Sequence, residues 1–338
     1  MSIEASHIVW RKAAVNDDSA SNGGRMTATV IPSGTKNNIW PDVPQAERLS
    51  GSTKYRKVFI HVANDDDLTL INPRLFVSRP TPGDDAVVIF PGSFTDDQTA
   101  ASAYSGAVYG GGILDASVLA GATQLYVMTE GQALGCFQPG MKIFISNTEP
   151  GGGGTEEYAT IAAGGVSYSG GDVALITVTA PIANPYSAGA TRVSSVYEPG
   201  SIVGSFTNFA VTSVGGAYNS VTHPIEVDSI GGVFQNWTIT FTSATNYTIT
   251  ADTPGVATAV SGYTGSRSAD FSPVNPDFAK PYFTLRKDGF SGTFVAGNTI
   301  TFRTVPAAVP VWYKRIIPAA AGSLSGNYVT VAVDGESE

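Results

Sequence analysis

Cysteine is almost absent from this chain. Its only cysteine is Cys136, so no disulfide can form within the chain, and no Cys and His residues stand at the spacing of a zinc site. Charge is also scarce, because Asp, Glu, Lys and Arg make up 14% of the 338 residues, against about 25% in an average soluble domain. The fold must therefore be stabilised by apolar burial and strand pairing.

Long hydrophobic runs and basic runs are missing as well. No segment approaches the roughly 18 uninterrupted apolar residues of a membrane helix, and the first residues do not form a secretion signal. We therefore expect synthesis in the cytoplasm, without secretion, and no membrane partner. The 28 acidic residues outnumber the 19 basic ones, for a net charge of −9. Since nucleic-acid binding relies on clustered Lys and Arg, we expect no direct nucleic-acid partner.

Turn residues are abundant, with 38 glycines and 20 prolines. Few windows of about 11 residues escape one of them, which disfavours helices, although one-turn helices fit at 45–49 and 99–103. Short runs of β-branched and aromatic residues lie between the turns and predict strands at 57–62, 125–128, 142–145, 174–179, 238–242 and 299–302. We predict an all-β fold with several antiparallel β-sandwich or β-barrel units.

Composition divides the chain into three domains. Residues 1–108 and 305–338 share basic and aromatic residues, so we expect them to form one base domain for assembly in which 54–61 and 312–317 pair or pack directly. Residues 113–197 hold about six predicted strands, which suits a small barrel. Residues 200–304 are rich in Thr, Ser and Asn and are predicted to form an outer β-sandwich. The last two domains would be insertions into the base.

Acidic clusters are the most suggestive chemical motif. Asp65, Asp66 and Asp67 could supply oxygen ligands to Ca²⁺, but their spacing does not match an EF-hand, and Asp residues equally suit polar turns. No other cofactor is indicated. Glu156 and Glu157 are adjacent and would point to opposite faces of a strand, so they cannot form the carboxylate pair of a glycosidase. Without a nucleophile motif either, we predict a protein that is not an enzyme.

Aromatic residues of the outer domain have two interpretations. Trp237, Tyr247, Tyr263 and Tyr282 could stack on a sugar if they are exposed, or fill a β core if they are buried. The first interpretation would make a surface glycan a partner of the protein.

Motifs near both ends resemble a family of tailed-bacteriophage virion proteins. They lie at 21–26, 38–43, 47–48, 51–59, 62–66, 297–302, 312–315, Pro318 and 335–338. The stretch 139–145, with Glu157, 175–181 and Gly189, is similar to small β-barrels of phage head, neck and tail proteins. The resemblance implies a structural protein of the virion, in the neck, collar or tail, bound to other virion proteins and to copies of itself in a symmetric ring. The alternatives are a receptor- or carbohydrate-binding adhesin and a capsid decoration protein.

Arginine and aromatic side chains frequently anchor protein interfaces, and they concentrate in the same motifs. We therefore expect an assembly interface that includes Arg25, Trp40, Arg48, Tyr55, Arg56, Lys57, Trp312, Lys314 and Arg315. Each of these side chains could instead pack within its own domain.

Overall fold

A computed structural model of the protein describes residues 2–129, 135–148, 153–169, 172–252 and 263–337. Strands hold 48% of the chain and helices 5%, and the sheets are antiparallel, which confirms the predicted all-β class. Within the described residues no helix is both long enough and apolar enough to cross a membrane.

The strands are numbered along the chain. They are β1 (Ile8–Val15), β2 (Gly23–Val30), β3 (Ser52–Val62), β4 (Leu70–Arg79), β5 (Ala86–Pro91), β6 (Gly111–Leu114), β7 (Gln124–Met128), β8 (Lys142–Ser146), β9 (Glu156–Ser169), β10 (Val173–Val178), β11 (Arg192–Tyr197), β12 (Ser205–Thr212), β13 (Gly216–Tyr218), β14 (Gln235–Phe241), β15 (Asn246–Ala251), β16 (Thr264–Ser266), β17 (Val274–Asn275), β18 (Lys280–Pro281), β19 (Phe290–Gly292), β20 (Thr299–Val305), β21 (Ala308–Ile317) and β22 (Thr330–Ser337). Short helices lie at α1 (Gln45–Ser50) and α2 (Gln98–Ser102), with 3-10 turns at Ala5–His7 and Lys287–Gly289.

The base sheet is built from both ends of the chain. Its strand order is β2-β1-β3-β21-β5, and β21 pairs with β3 from Ile317 opposite Ser52 to Ala308 opposite His61. Strands β4 and β22 pair with each other and form a second layer that packs face to face against this sheet. Leu75 and Val77 of β4 share a core with residues of β3, β5 and β21. The base is therefore a sandwich in which the last two strands of the chain join the first five.

A closed barrel of six strands follows the base along the chain. Strands β6 to β11 form it in the order β11-β6-β7-β10-β9-β8, and β8 closes on β11. Side chains of alternate residues fill the interior, as the burial pattern of β10 illustrates, so the barrel has a packed core of apolar residues. Strand β11 also pairs with β4, which joins the barrel to the base.

The outer domain has an aromatic core. Its main sheet has the order β12-β20-β14-β15-β16, and β14 and β15 form a hairpin that contains the strand predicted at 238–242. Phe241 stacks on Phe294 with 3.9 Å between the ring centroids, and Trp237 lies against Phe283. The large rings give this domain a core of its own, and the chain then returns to the base at β21.

Candidate assembly surface and domain junctions

The predicted interface residues on β3 and β21 divide between the two faces of the base sheet. Tyr313 lies opposite Arg56, and Trp312 lies opposite Lys57. Because successive residues of a strand point to opposite faces, Arg56 and Arg315 share one face while Lys57 and Trp312 share the other.

Arg56 and Arg315 are buried on the first face. An Nη1 atom of Arg56 lies 2.7 Å from a carboxylate oxygen of Asp18, and the guanidinium of Arg315 lies 5.0 Å from the ring centroid of Trp40. Trp40 in turn packs against Tyr313. Burial lowers the pKa of Arg315, since desolvation penalises its charged form. These contacts belong to the interior of the base.

Lys57 and Trp312 are buried on the second face. The Nζ of Lys57 donates to the carbonyl oxygen of Gly24 at 2.7 Å and lies 2.5 Å from Oδ1 of Asp96. The indole N–H of Trp312 donates to Oδ2 of the same carboxylate at 2.9 Å. A Cβ at position 92 would stand 2.9 Å from the Trp312 ring, so only glycine leaves room for this packing.

Five of the nine expected interface residues therefore stabilise the base from within. They are Trp40, Arg56, Lys57, Trp312 and Arg315. A buried side chain has no surface to offer to a partner, so packing within the domain, the alternative that the sequence left open, describes these five. Their charged groups are tolerated in the interior because carboxylates, carbonyl oxygens or aromatic rings lie against them.

The other four expected residues are partly exposed and lie in different places. Arg25 on β2 donates to the carbonyl oxygen of Phe234 in the outer domain. Tyr55 meets Phe90 edge to face, and Lys314 pairs in register with Tyr55. Arg48, alone of the nine, belongs to α1.

We define the basal surface as α1 together with residues 80–85 and 318–329. The backbone N–H of Ala321 donates to the carbonyl oxygen of Arg48, and Asn327 donates to a carboxylate oxygen of Asp85 at 2.6 Å, so the three segments form one layer. Leu49 is 66% exposed and Leu324 is 51% exposed. The sequence did not single out these leucines, because one apolar residue in a one-turn helix, or in a loop, carries no periodic pattern.

The base joins the outer domain at the C-terminal end of β3, near His61 and Val62. Arg11 donates from Nε to Nδ1 of His61 at 2.7 Å, so the Nε2 of His61 carries the proton and donates to the carbonyl oxygen of Ser229 at 2.6 Å. Burial is the main cause that lowers the pKa of His61 to about 4, and the neighbouring Arg11 charge contributes in the same direction. The Phe278 ring lies edge-on to the imidazole. His61 is thus neutral in the folded protein at neutral pH, with its single ring proton on Nε2.

A cavity of 140 Å³ lies beside this junction. Its lining includes Arg25, Phe94, Phe234, Phe278 and Tyr282, and Phe94 stacks on Phe234 with 4.9 Å between ring centroids. The cavity is smaller than the roughly 300–1,000 Å³ of sites for drug-sized ligands. Its aromatic rings serve to pack the two domains together.

The acidic residues 65–67 form a turn, and each of the three bonds to a different residue. Asn64 accepts through Oδ1 from the backbone N–H groups of Asp66 and Leu68, while Asp65 pairs with Lys280 at 2.6 Å and Asp67 accepts from the N–H of Ser229. Across the described ranges, no three His, Cys, Asp or Glu side chains are grouped to hold a metal ion. Calcium binding at Asp65, Asp66 and Asp67 stays a prediction, for which melting with and without a chelator is the measurement.

Three of the four aromatic residues proposed for sugar stacking are buried. Trp237 and Tyr247 are fully enclosed in the outer core, and Tyr282 packs against Trp237. Tyr263 alone is exposed. The core interpretation therefore describes Trp237, Tyr247 and Tyr282, because an enclosed ring has no free face for a sugar.

The adjacent glutamates of β9 serve different hydrogen bonds. Glu157 accepts from the backbone N–H groups of Ala183 and Asn184, whereas Glu156 accepts from the hydroxyl of Ser146. Glu157 therefore anchors the loop after β10, whereas Glu156 bonds across the pair of strands β8 and β9.

Comparison with protein-family models, with curated proteins and with solved structures finds no match to this chain.

Proposed function

We propose that this protein is a structural component of a tailed-bacteriophage virion, in the neck, collar or tail, and that it works by assembly with copies of itself and with other virion proteins. The layout of the chain carries this proposal. Strands from both ends make one base, and a barrel and an outer domain project from it between β5 and β21. A base domain that carries two inserted β domains suits a subunit that is repeated in a symmetric assembly.

The basal surface is the contact that we assign to a second copy of the chain. It presents the exposed apolar side chains of Leu49 and Leu324 beside charges of both signs, Arg48 on α1 and Asp84 in the facing turn. Mixed charge allows copies of the chain to meet despite the net charge of −9, because opposite signs on two neighbouring copies can pair across a head-to-tail contact, the kind that closes into a ring. Weak contacts repeated around a ring then add as avidity.

Replacing both basal leucines is expected to break the ring. The double variant Leu49→Asp, Leu324→Asp should raise the dissociation constant roughly 100-fold or more, since burial of one leucine contributes about 1.5–3 kcal/mol and each 1.4 kcal/mol is a factor of ten. Mass photometry or light scattering on purified full-length protein should show multiples of the chain mass for the wild type and a single chain for the variant.

A leucine on the barrel provides the matched control. Leu119 is 79% exposed and lies outside the basal surface, so Leu119→Asp should leave the oligomer intact. A wild type that is a single chain at every concentration, or a control that dissociates as readily as the double variant, would count against the basal contact.

The location in the particle is tested separately. Antibody labelling of intact virions should place the chain at the neck, collar or tail. Label on the head surface would instead identify a capsid decoration protein, and absence of label from purified particles would reject the virion proposal altogether.

A further inference from the structure

Lys57 and Asp96 meet inside the base in an unusual contact. The lysine side chain has an exposed fraction of 0% and the aspartate side chain of 17%, and Nζ lies 2.5 Å from Oδ1. Oδ1 nevertheless has no hydrogen bond of normal geometry. The rings of Phe59 and Trp312 lie 5.1 Å and 5.9 Å from Nζ, so the contact is closed off by aromatic carbon.

Hydrogen bonds around Lys57 determine the direction in which the lone pair of its amine nitrogen points. Nζ donates to the carbonyl oxygens of Gly24 at 2.7 Å and of Asp96 at 3.1 Å. A neutral amine has two hydrogens, so these two bonds leave its lone pair free toward the third neighbour, the Asp96 carboxyl group. The indole N–H of Trp312 holds Oδ2 and so fixes the orientation of that carboxyl.

We propose that Lys57 and Asp96 are a modification site at which the chain forms an amide bond between Nζ and Cγ. The proposal rests on the geometry of this pair and does not depend on the proposed function. It adds a covalent link between β3 and the loop that follows β5.

The reaction needs no reagent beyond the chain itself. The ammonium of Lys57 first passes a proton to Oδ1 of the Asp96 carboxylate, a step that removes two opposite charges from the interior. Burial lowers the pKa of Lys57, while the Asp96 charge acts in the opposite direction. The Nζ lone pair then bonds to Cγ, and the Trp312 N–H stabilises the negative charge that develops on Oδ2. The bond from Cγ to Oδ1 breaks, and Oδ1 leaves as water with its own proton and one from Nζ.

Lys54, which lies on the same strand as Lys57, shows why we propose the amide at Lys57 alone. Lys54 lies 2.7 Å from Asp18 and 2.6 Å from Glu47, but 14% of its side chain and 49% of the Asp18 side chain are exposed. Its bond to Asp18 has ordinary hydrogen-bond geometry, and water stabilises both charged groups. Lys54 is therefore expected to remain a salt bridge.

Mass spectrometry of the denatured full-length protein tests the proposal. The wild type should be lighter than its sequence by one water molecule, and Lys54→Arg should show the same loss from its own sequence mass. Lys57→Arg should have its full mass, because a guanidinium keeps the charge and cannot form the amide. Protease digestion of the wild type should yield one branched peptide in which the residues around Lys57 are joined to those around Asp96.

Peptide mapping distinguishes the proposed amide from a cyclic imide at an aspartate, which would cause the same loss of one water. An aspartate before glycine, such as Asp288 or Asp334, can lose water to a cyclic imide, which mild base reopens, whereas the Lys57 amide survives base. Wild-type protein of full mass after long incubation, or a water loss that maps to one of those aspartates, would overturn the proposal. The wild-type map decides the question even where the Lys57→Arg variant does not fold.

Discussion

Deletion of residues 306–338 is expected to unfold the base while the barrel stays folded. The deletion removes β21, which lies between β3 and β5 in the middle of the base sheet, and with it β22. Val311, Trp312 and Tyr313 are each at most 1% exposed, so their loss empties both faces of the sheet at once.

The size of the effect follows from burial. A fully buried large apolar side chain contributes about 1.5–3 kcal/mol, and β21 supplies several, while a whole domain is stable by only about 5–15 kcal/mol. The barrel draws its core from its own six strands between residues 111 and 197, with Ala86 and Val88 of β5 at its margin. Its strands are neighbours along the chain, so it keeps most of its contacts without the base.

Limited proteolysis with mass spectrometry distinguishes the two domains in the truncated protein. Fragments of residues 8–91 should disappear quickly, and a resistant fragment should span the barrel. Deletion of residues 330–338 is the matched control, because it removes only β22 from the edge of its sheet and should leave the base resistant. A base that resists protease without β21 would mean that the first five strands are stable by themselves.

Local pattern predicted much of the fold because many strands are short and bounded by turn residues. The runs at 125–128 and 142–145 coincide with β7 and β8, and the one-turn helices at 45–49 and 99–103 correspond to α1 and α2. Strand β9 is different: it continues through Gly164 and Gly165, which pattern alone assigns to a turn. Pairing with β8 up to Thr160 and with β10 again from Val166 continues the strand across an irregularity at these glycines, where Gly164 has a φ of +69°, and such pairing is not written in the local sequence.

Burial of charge was the least predictable feature of the candidate site. A Lys or Arg in sequence is usually exposed, so the motif around Lys57 and Arg315 favoured an outer surface. Their burial depends on Asp96 and Trp40, which are distant along the chain and reach them only through tertiary packing. The exposed leucines of the basal surface are unpredictable for the opposite reason, since exposure depends on which loops cover them.

Acid is expected to loosen the junction between the base and the outer domain through His61. Its pKa is near 6.5 when the chain is unfolded and about 4 in the fold, chiefly because burial disfavours the charged ring. Between these two values the unfolded chain binds the extra proton and the folded chain does not, so stability is full above about pH 6.5 and decreases as the pH falls toward 4. The gap corresponds to about 3 kcal/mol.

The structural reason lies in the hydrogen bonds of the ring. A second proton would have to sit on Nδ1, which accepts from Arg11, so protonation breaks that bond and places two positive charges together. Urea unfolding at about pH 7 and about pH 4.5 should give a lower midpoint in acid for the wild type, and His61→Gln, which has no charge in either condition, should lose much less between them. His223→Gln, in the outer domain and away from this junction, is the control and should behave as the wild type. An equal loss in His61→Gln and wild type would assign the acid sensitivity to carboxylates elsewhere in the protein.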